Sequence, residues 1–96
     1  MPRLSMQIPH ALGREEATRR IKELLPKARE YVSDLDERWQ EHTLAFQFTA
    51  MAFRVGGTLS VEEGVANIDV DLPLAAMLVK GMIEQRVRQE FGTILA

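Results

Sequence analysis

Few side chains in this sequence could do chemistry, and their spacing does not assemble an active site. His10 and His42 are the only histidines. Neither has a second ligand at the separation that zinc sites use, so a metal would need carboxylates brought from elsewhere in the chain. No metal is expected. His10 falls between a strand-like and a helix-like segment, where an imidazole satisfies loop backbone groups, and His42 reads as an exposed turn residue. Ser5, Ser33 and Ser60 stand in no nucleophile elbow, so a Ser-His-acid triad has no support. Asp69 and Asp71 alternate with Val70 and Leu72, which projects both carboxylates from one strand face. Such a pair can do acid-base or metal work, but a solvated outer sheet face is the expected setting. Gly56-Gly57 lacks the flanking pattern of a phosphate loop. The chain is expected to be no enzyme and to carry no cofactor.

The elements that position these residues can be read from periodicity. Leu4, Met6 and Ile8 alternate with Arg3, Ser5 and Gln7, the period of a half-buried strand, and Pro9 closes it. From Gly13 the pattern becomes Ala17, Ile21, Leu24, Leu25, Ala28, Tyr31 and Val32, spaced by three and four. This predicts an amphipathic helix with Glu15 and Glu16 in its first turn, where carboxylates complement the helix dipole. Because the apolar phase continues past Pro26, that proline is expected to kink the helix and let it run to near Ser33. Four strands should follow, through Arg38-Trp39-Gln40, Leu44 to Phe48, Phe53 to Val61, and Ala66 to Leu72. Glu41-His42 and Glu62-Glu63-Gly64 supply hairpin turns, and Gly56-Gly57 reads as a bulge or sharp bend. A last helix should start near Pro73 and run to about Phe91. The order strand, helix, four strands, helix predicts an α+β two-layer sandwich, an antiparallel sheet of about five strands with both helices on one face.

Ninety-six residues, 46% apolar, with a formal charge of -2 fit one domain spanning residues 1–96. Without cysteine the core must close by apolar packing, which suits a reducing cytoplasm. Mixed charges without a basic stripe argue against nucleic acid as a partner. Polar Ser5 and Gln7 break up any secretory signal. Lys80, Glu84, Arg86 and Arg88 end the apolar run from Leu72 far short of the roughly 20 residues a membrane span requires.

The last helix has an unusual second face. Ala76, Ile83, Val87, Phe91 and Ile94 form the stripe expected to pack on the sheet. Leu74, Ala75, Leu78 and Met82 form another apolar group on the opposite side, and a helix apolar on two sides is covered by its own domain or by something else. Leu and Met suit irregular apolar partners. Gly81, costly in a helix, suggests close backbone approach by a neighbour.

The segments Pro9-His10-Ala11-Leu12-Gly13, Glu16-Ala17, Trp39, Leu44-Ala45-Phe46, Gly57-Thr58-Leu59 and Leu72-Pro73-Leu74 resemble, in order and spacing, the small bacterial polyhydroxyalkanoic acid system proteins. Pro26 departs from that pattern, and Ala50-Met51-Ala52 stands where a Gly-containing turn is expected. The resemblance covers nearly the whole chain and implies association with polyhydroxyalkanoate synthesis or granules; it supplies no catalytic residues. The expectation is a non-enzymatic cytoplasmic accessory protein, at the storage granule surface, whose face of Leu74, Ala75, Leu78 and Met82 meets granule, synthase or a second copy in a homodimer. The rival is a hydrophobic-ligand binding protein or enzyme with a pocket between sheet and helices lined by Trp39, Phe46, Phe48 and Phe53.

Overall fold

The structure is a computed structural model that describes residues 3–50 and 52–96, with the Ala50 side chain left aside. Its elements are β1 (Arg3–Pro9), α1 (Arg14–Ala28), β2 (Ser33–Gln40), β3 (Thr43–Ala50), β4 (Phe53–Val61), β5 (Val65–Asp71), a 3-10 helix (Leu74–Val79) and α2 (Lys80–Ile94). The five strands form one antiparallel sheet in the order β1-β5-β4-β3-β2. Both helices lie on one face of it, in the α+β arrangement that the periodicity predicts.

Alternation decides which side of the sheet is core. In β1, Leu4, Met6 and Ile8 are buried while Arg3, Ser5, Gln7 and Pro9 are exposed, and the register sets these three opposite Val70, Ile68 and Ala66 of β5, also buried. Leu59 and Val61 of β4 and Leu44 of β3 continue the layer. The largest fully buried side chains are Ile21, Leu44, Leu59, Leu72 and Val61, so α1 seals the middle of the sheet. α2 packs beside β1 and α1, and Arg20 ties the helices together by donating to the Ile94 and Ala96 carbonyls at 3.2 and 2.9 Å. A cation there meets the open carbonyls at a helix C-terminus.

α1 ends at Ala28, not near Ser33. Pro26 lies in its final turn and removes a donor. Glu30 and Tyr31 then bond back only three residues, to Lys27 and Ala28 at 3.2 and 3.0 Å. From Ser33 on the backbone finds partners on β3 instead, and a longer helix would deny them. Tyr31, which shares the helical phase, is left 75% exposed. β2 starts correspondingly earlier than expected, with one extra residue between its pairings Ser33 with Thr49 and Asp36 with Gln47.

Among the described residues that bulge is the one irregular register in the sheet, and it is not at Gly56-Gly57. β4 runs regularly through both glycines, which serve close packing instead. A Cβ on Gly57 would stand 2.2 Å from the Asp69 carbonyl oxygen and 2.9 Å from the Phe46 ring. Phe46 lies opposite Gly57, and its ring stacks on Phe48 with centroids 6.0 Å apart. At the β3–β4 turn, Met51 lies outside the described residues, while Ala52 takes φ 68°, the left-handed region that a glycine would enter without strain.

The last helix also differs in its start. Pro73, at φ -58° and ψ 149°, ends the extended segment, and a 3-10 helix intervenes before α2 begins at Lys80. Ala76 is buried and Ile83, Val87, Phe91 and Ile94 rest half-buried on the core, but α2 fully buries none of its own residues.

Candidate functional site

The Pro-His-x-Leu-Gly segment folds as a backbone bracket. The His10 N–H donates to the Gly64 carbonyl at 3.0 Å, Leu12 N–H donates to His10 Nδ1 at 3.2 Å, and Nε2 lies 3.0 Å from the Glu62 carbonyl oxygen. An N–H can only donate and a carbonyl can only accept, so the ring is the Nε2–H tautomer with both nitrogens engaged. Gly13 follows at φ 81°, and its carbonyl takes the Ala17 N–H at 3.1 Å to start α1. His10 therefore binds the β1–α1 link to the β4–β5 hairpin, and no ring nitrogen faces a substrate.

His42 is not an exposed turn residue. Its Nδ1 lies 3.2 Å from Thr18 Oγ1 and its Nε2 3.0 Å from Glu15 Oε1. A hydroxyl, an imidazole and a carboxylate in this order invite comparison with a catalytic triad. However, Thr18 is 5% exposed, and its hydroxyl donates to the Arg14 carbonyl at 2.7 Å. A nucleophile so enclosed cannot be reached, and the cluster pins the β2–β3 turn to α1. Periodicity held a signal for it, since Thr18 falls between Ala17 and Ile21 on the buried side of α1.

The carboxylates of Asp69 and Asp71 lie on the outer sheet face and are partnered separately. Ser5 donates to Asp69 at 2.6 Å and Arg3 to Asp71 at 3.0 Å, and the bond and charge of Asp71 push the Arg3 guanidinium above its ordinary value. Among the described residues no group of three His, Cys, Asp or Glu side chains could hold a metal ion.

Trp39, Phe46, Phe48 and Phe53 are half-buried on the core side of the sheet. Lys22 lies over the Trp39 ring at 5.0 Å. Glu37, in phase with Trp39, has one oxygen 3.7 Å from Arg29 and the other buried without a hydrogen-bond partner. Two shallow hollows lie elsewhere. One is on the outer face by Gln47, Arg54, Gly56 and Asp71, and the other is beside the β2–β3 turn. Each holds about 220 Å³, below the roughly 300–1,000 Å³ of ligand pockets.

Glu16 has the most perturbed carboxylate. Hydrogen bonds from Arg19, at 2.7 and 2.9 Å, and from Arg20, at 2.9 Å, hold its carboxyl down to about 2 from an ordinary 4.5. Because the folded value is depressed, whatever these pairs add to stability is complete above pH 4.5 and is lost as the pH falls from there through 2. A carbon-detected NMR titration is expected to place the Glu16 midpoint near 2; a midpoint in the ordinary carboxylate range would show that the pairs do not persist in solution.

The largest departure from ordinary surface chemistry is at the start of the last helix. Leu74 is 78% exposed, Leu78 93% and Met82 57%, with Ala75 exposed beside them. From Leu72 to Val79 the chain carries no charge. Gly81, on the next turn, has nothing within 4 Å of where its Cβ would stand, so no neighbour among the described residues uses the close approach it offers.

A family model described as "Putative polyhydroxyalkanoic acid system protein" matches residues 4–95. No curated protein and no solved structure matches the chain. The matched span takes in the His10 bracket, Gly57 beneath Phe46 and the apolar start of the last helix, and by this match the chain belongs to the polyhydroxyalkanoic acid system protein family.

Proposed function

We propose that the chain is a non-enzymatic accessory protein of the polyhydroxyalkanoate storage system, docking on the apolar granule surface through Leu74, Ala75, Leu78 and Met82. The observation that carries this reading is the exposure of three large apolar side chains, Leu78 at 93% among them. Isolated exposed leucines are ordinary, whereas three large apolar side chains left exposed within nine residues, two of them on the uncharged 3-10 helix, mark a contact surface. The unbranched Met82 thioether conforms to an irregular polyester surface beside the leucines. No helix among the described residues is long and apolar enough to cross a membrane, so the contact is made by lying on a surface. The cytoplasmic face of the granule is the location this implies.

Co-sedimentation with purified polyester granules tests it. Burying each such side chain is worth about 1.5–3 kcal/mol, so losing two should weaken binding by about two orders of magnitude or more. The double variant Leu78→Glu/Met82→Glu is expected to stay in the supernatant while melting as cooperatively as the parent, because Ile83 and Val87 are untouched. A variant that still sediments, or a parent that binds synthase but not bare granules, would sink the granule reading. A variant that unfolds would place this face in the core.

A further inference from the structure

We propose that the 3-10 helix Leu74–Val79 is the free form of a conformational switch. On an apolar surface it rewinds as α-helix, fuses with α2 and gathers Leu74, Ala75, Leu78 and Met82 into one docking face. The proposal rests on the docking reading above and concerns how that face is made. The 3-10 helix covers six residues, whereas runs beyond three or four are uncommon and often mark a hinge. Its bonds span three residues at both ends, from the Ala76 N–H to the Pro73 carbonyl at 2.9 Å and from the Lys80 N–H to the Met77 carbonyl. Yet Leu, Ala and Met, strong α-helix formers, make up all of Leu-Ala-Ala-Met-Leu-Val except its last residue. That residue, Val79, is where the two helices part, at φ -113° and ψ 17°, away from α-helical values.

A 3-10 helix turns about 120° per residue and an α-helix about 100°. In the 3-10 form Leu78 therefore points about 120° away from Leu74, and the departure at Val79 separates both from Met82. Wound as one α-helix from Leu74 to Ile94, the same residues fall into two stripes. Leu74, Ala75, Leu78 and Met82 then share an arc of about 100°. On the opposite side Ala76 joins Ile83, Val87, Phe91 and Ile94 within an arc of about 80°. Ala76 is buried, and the other four already rest on the core, so rewinding keeps these residues on the core side. The sequence is patterned for a helix that the free chain does not complete.

Six residues shorten by about 3 Å on passing from a rise of about 2.0 Å to about 1.5 Å each. Straightening the axis at Val79 returns part of that length. α2 buries none of its own residues completely and can take up the rest. The joint has room to close, since Gly81 has nothing within 4 Å of its Cβ position. A surface that takes three large apolar side chains at once binds the α form better than the 3-10 form, and such a difference in affinity is what moves an equilibrium between two conformations.

The chain has no cysteine, so nitroxide labels on Ala75→Cys/Val79→Cys report this segment alone and spare Leu74, Leu78 and Met82. The axial rise between the labelled positions falls from about 8 Å to about 6 Å on rewinding, and the EPR dipolar broadening should be stronger on sedimented granules than in buffer. Val79→Ala and Val79→Gly supply a second readout. Neither removes a docking side chain, and the helix cost of Gly relative to Ala enters binding only where position 79 becomes helical on docking. Val79→Gly should then bind granules about fivefold more weakly than Val79→Ala, with both melting cooperatively. Unchanged broadening in labelled chain that sediments, or equal binding by the two variants, would overturn the switch and leave the docking reading standing. A parent that does not sediment overturns both.

Discussion

Gly57→Ala is expected to unfold the protein or bring it close to unfolding, although the change adds one methyl group. The methyl would stand 2.2 Å from the Asp69 carbonyl oxygen and 3.1 Å from the Val70 Cα, and these are backbone atoms of the adjoining strand that cannot rotate aside. Relief requires moving β5 from β4 at the centre of the sheet, where Gly57 pairs with Val70. Overpacking a core typically costs about 1–3 kcal/mol, and a backbone clash of this kind should exceed that range. Gly56→Ala is the control, because its nearest contacts are the Gln47 Cγ at 3.4 Å and the Phe46 carbonyl oxygen at 3.6 Å. Urea melts should show the Gly56 variant near the parent and the Gly57 variant without a folded baseline. Equal midpoints would mean that the strands separate more easily than the close packing suggests.

Ile21→Ala should produce the next largest loss, about 2–5 kcal/mol for an isoleucine emptied from a closed site. Ile21 is 0% exposed and is the largest side chain of α1 to be fully buried. Since α2 buries none of its own residues completely, Ile21 is the largest fully buried side chain that either α-helix sets against the sheet. Stabilities of small domains are about 5–15 kcal/mol, so this loss would bring the midpoint down sharply while leaving the two-state form. Leu25→Ala, at a half-buried site on the same helix, should cost less. If the two variants melt together, α1 is held mainly by its ion pairs and not by its apolar side.

Most of the sheet could be read from the sequence because alternation and burial agree along β1, β3 and β5. The exceptions arise where local pattern and long-range pairing compete. Tyr31 and Val32 keep the phase of α1, yet backbone partners on β3 draw the chain into β2 from Ser33 onward. Paired glycines mark either a bend or a tight contact, and only the approach of Asp69 and Phe46 settles which. The partners of His42 lie 24 and 27 positions away on α1, at Thr18 and Glu15, beyond what turn chemistry reveals. The second apolar face at Leu74, Leu78 and Met82 was visible in the helical phase, but its exposure depends on α1 lying over the sheet and not over it. Glu37 reaches the core side because β2 starts earlier than the alternation suggests, and nothing in the pattern points to Arg29 as its neighbour.

The bond between the His10 ring and the Glu62 carbonyl spans 52 residues of chain. Closing so long a loop costs entropy that grows only slowly with its length, and most of that cost falls on bringing β1 to β5. The hairpins from β2 to β5, by contrast, close through short turns. The imidazole acts as a latch at the one long-range join in the sheet. The histidine of the Pro-His-x-Leu-Gly segment therefore helps to fix chain topology, marking where the first strand joins the sheet.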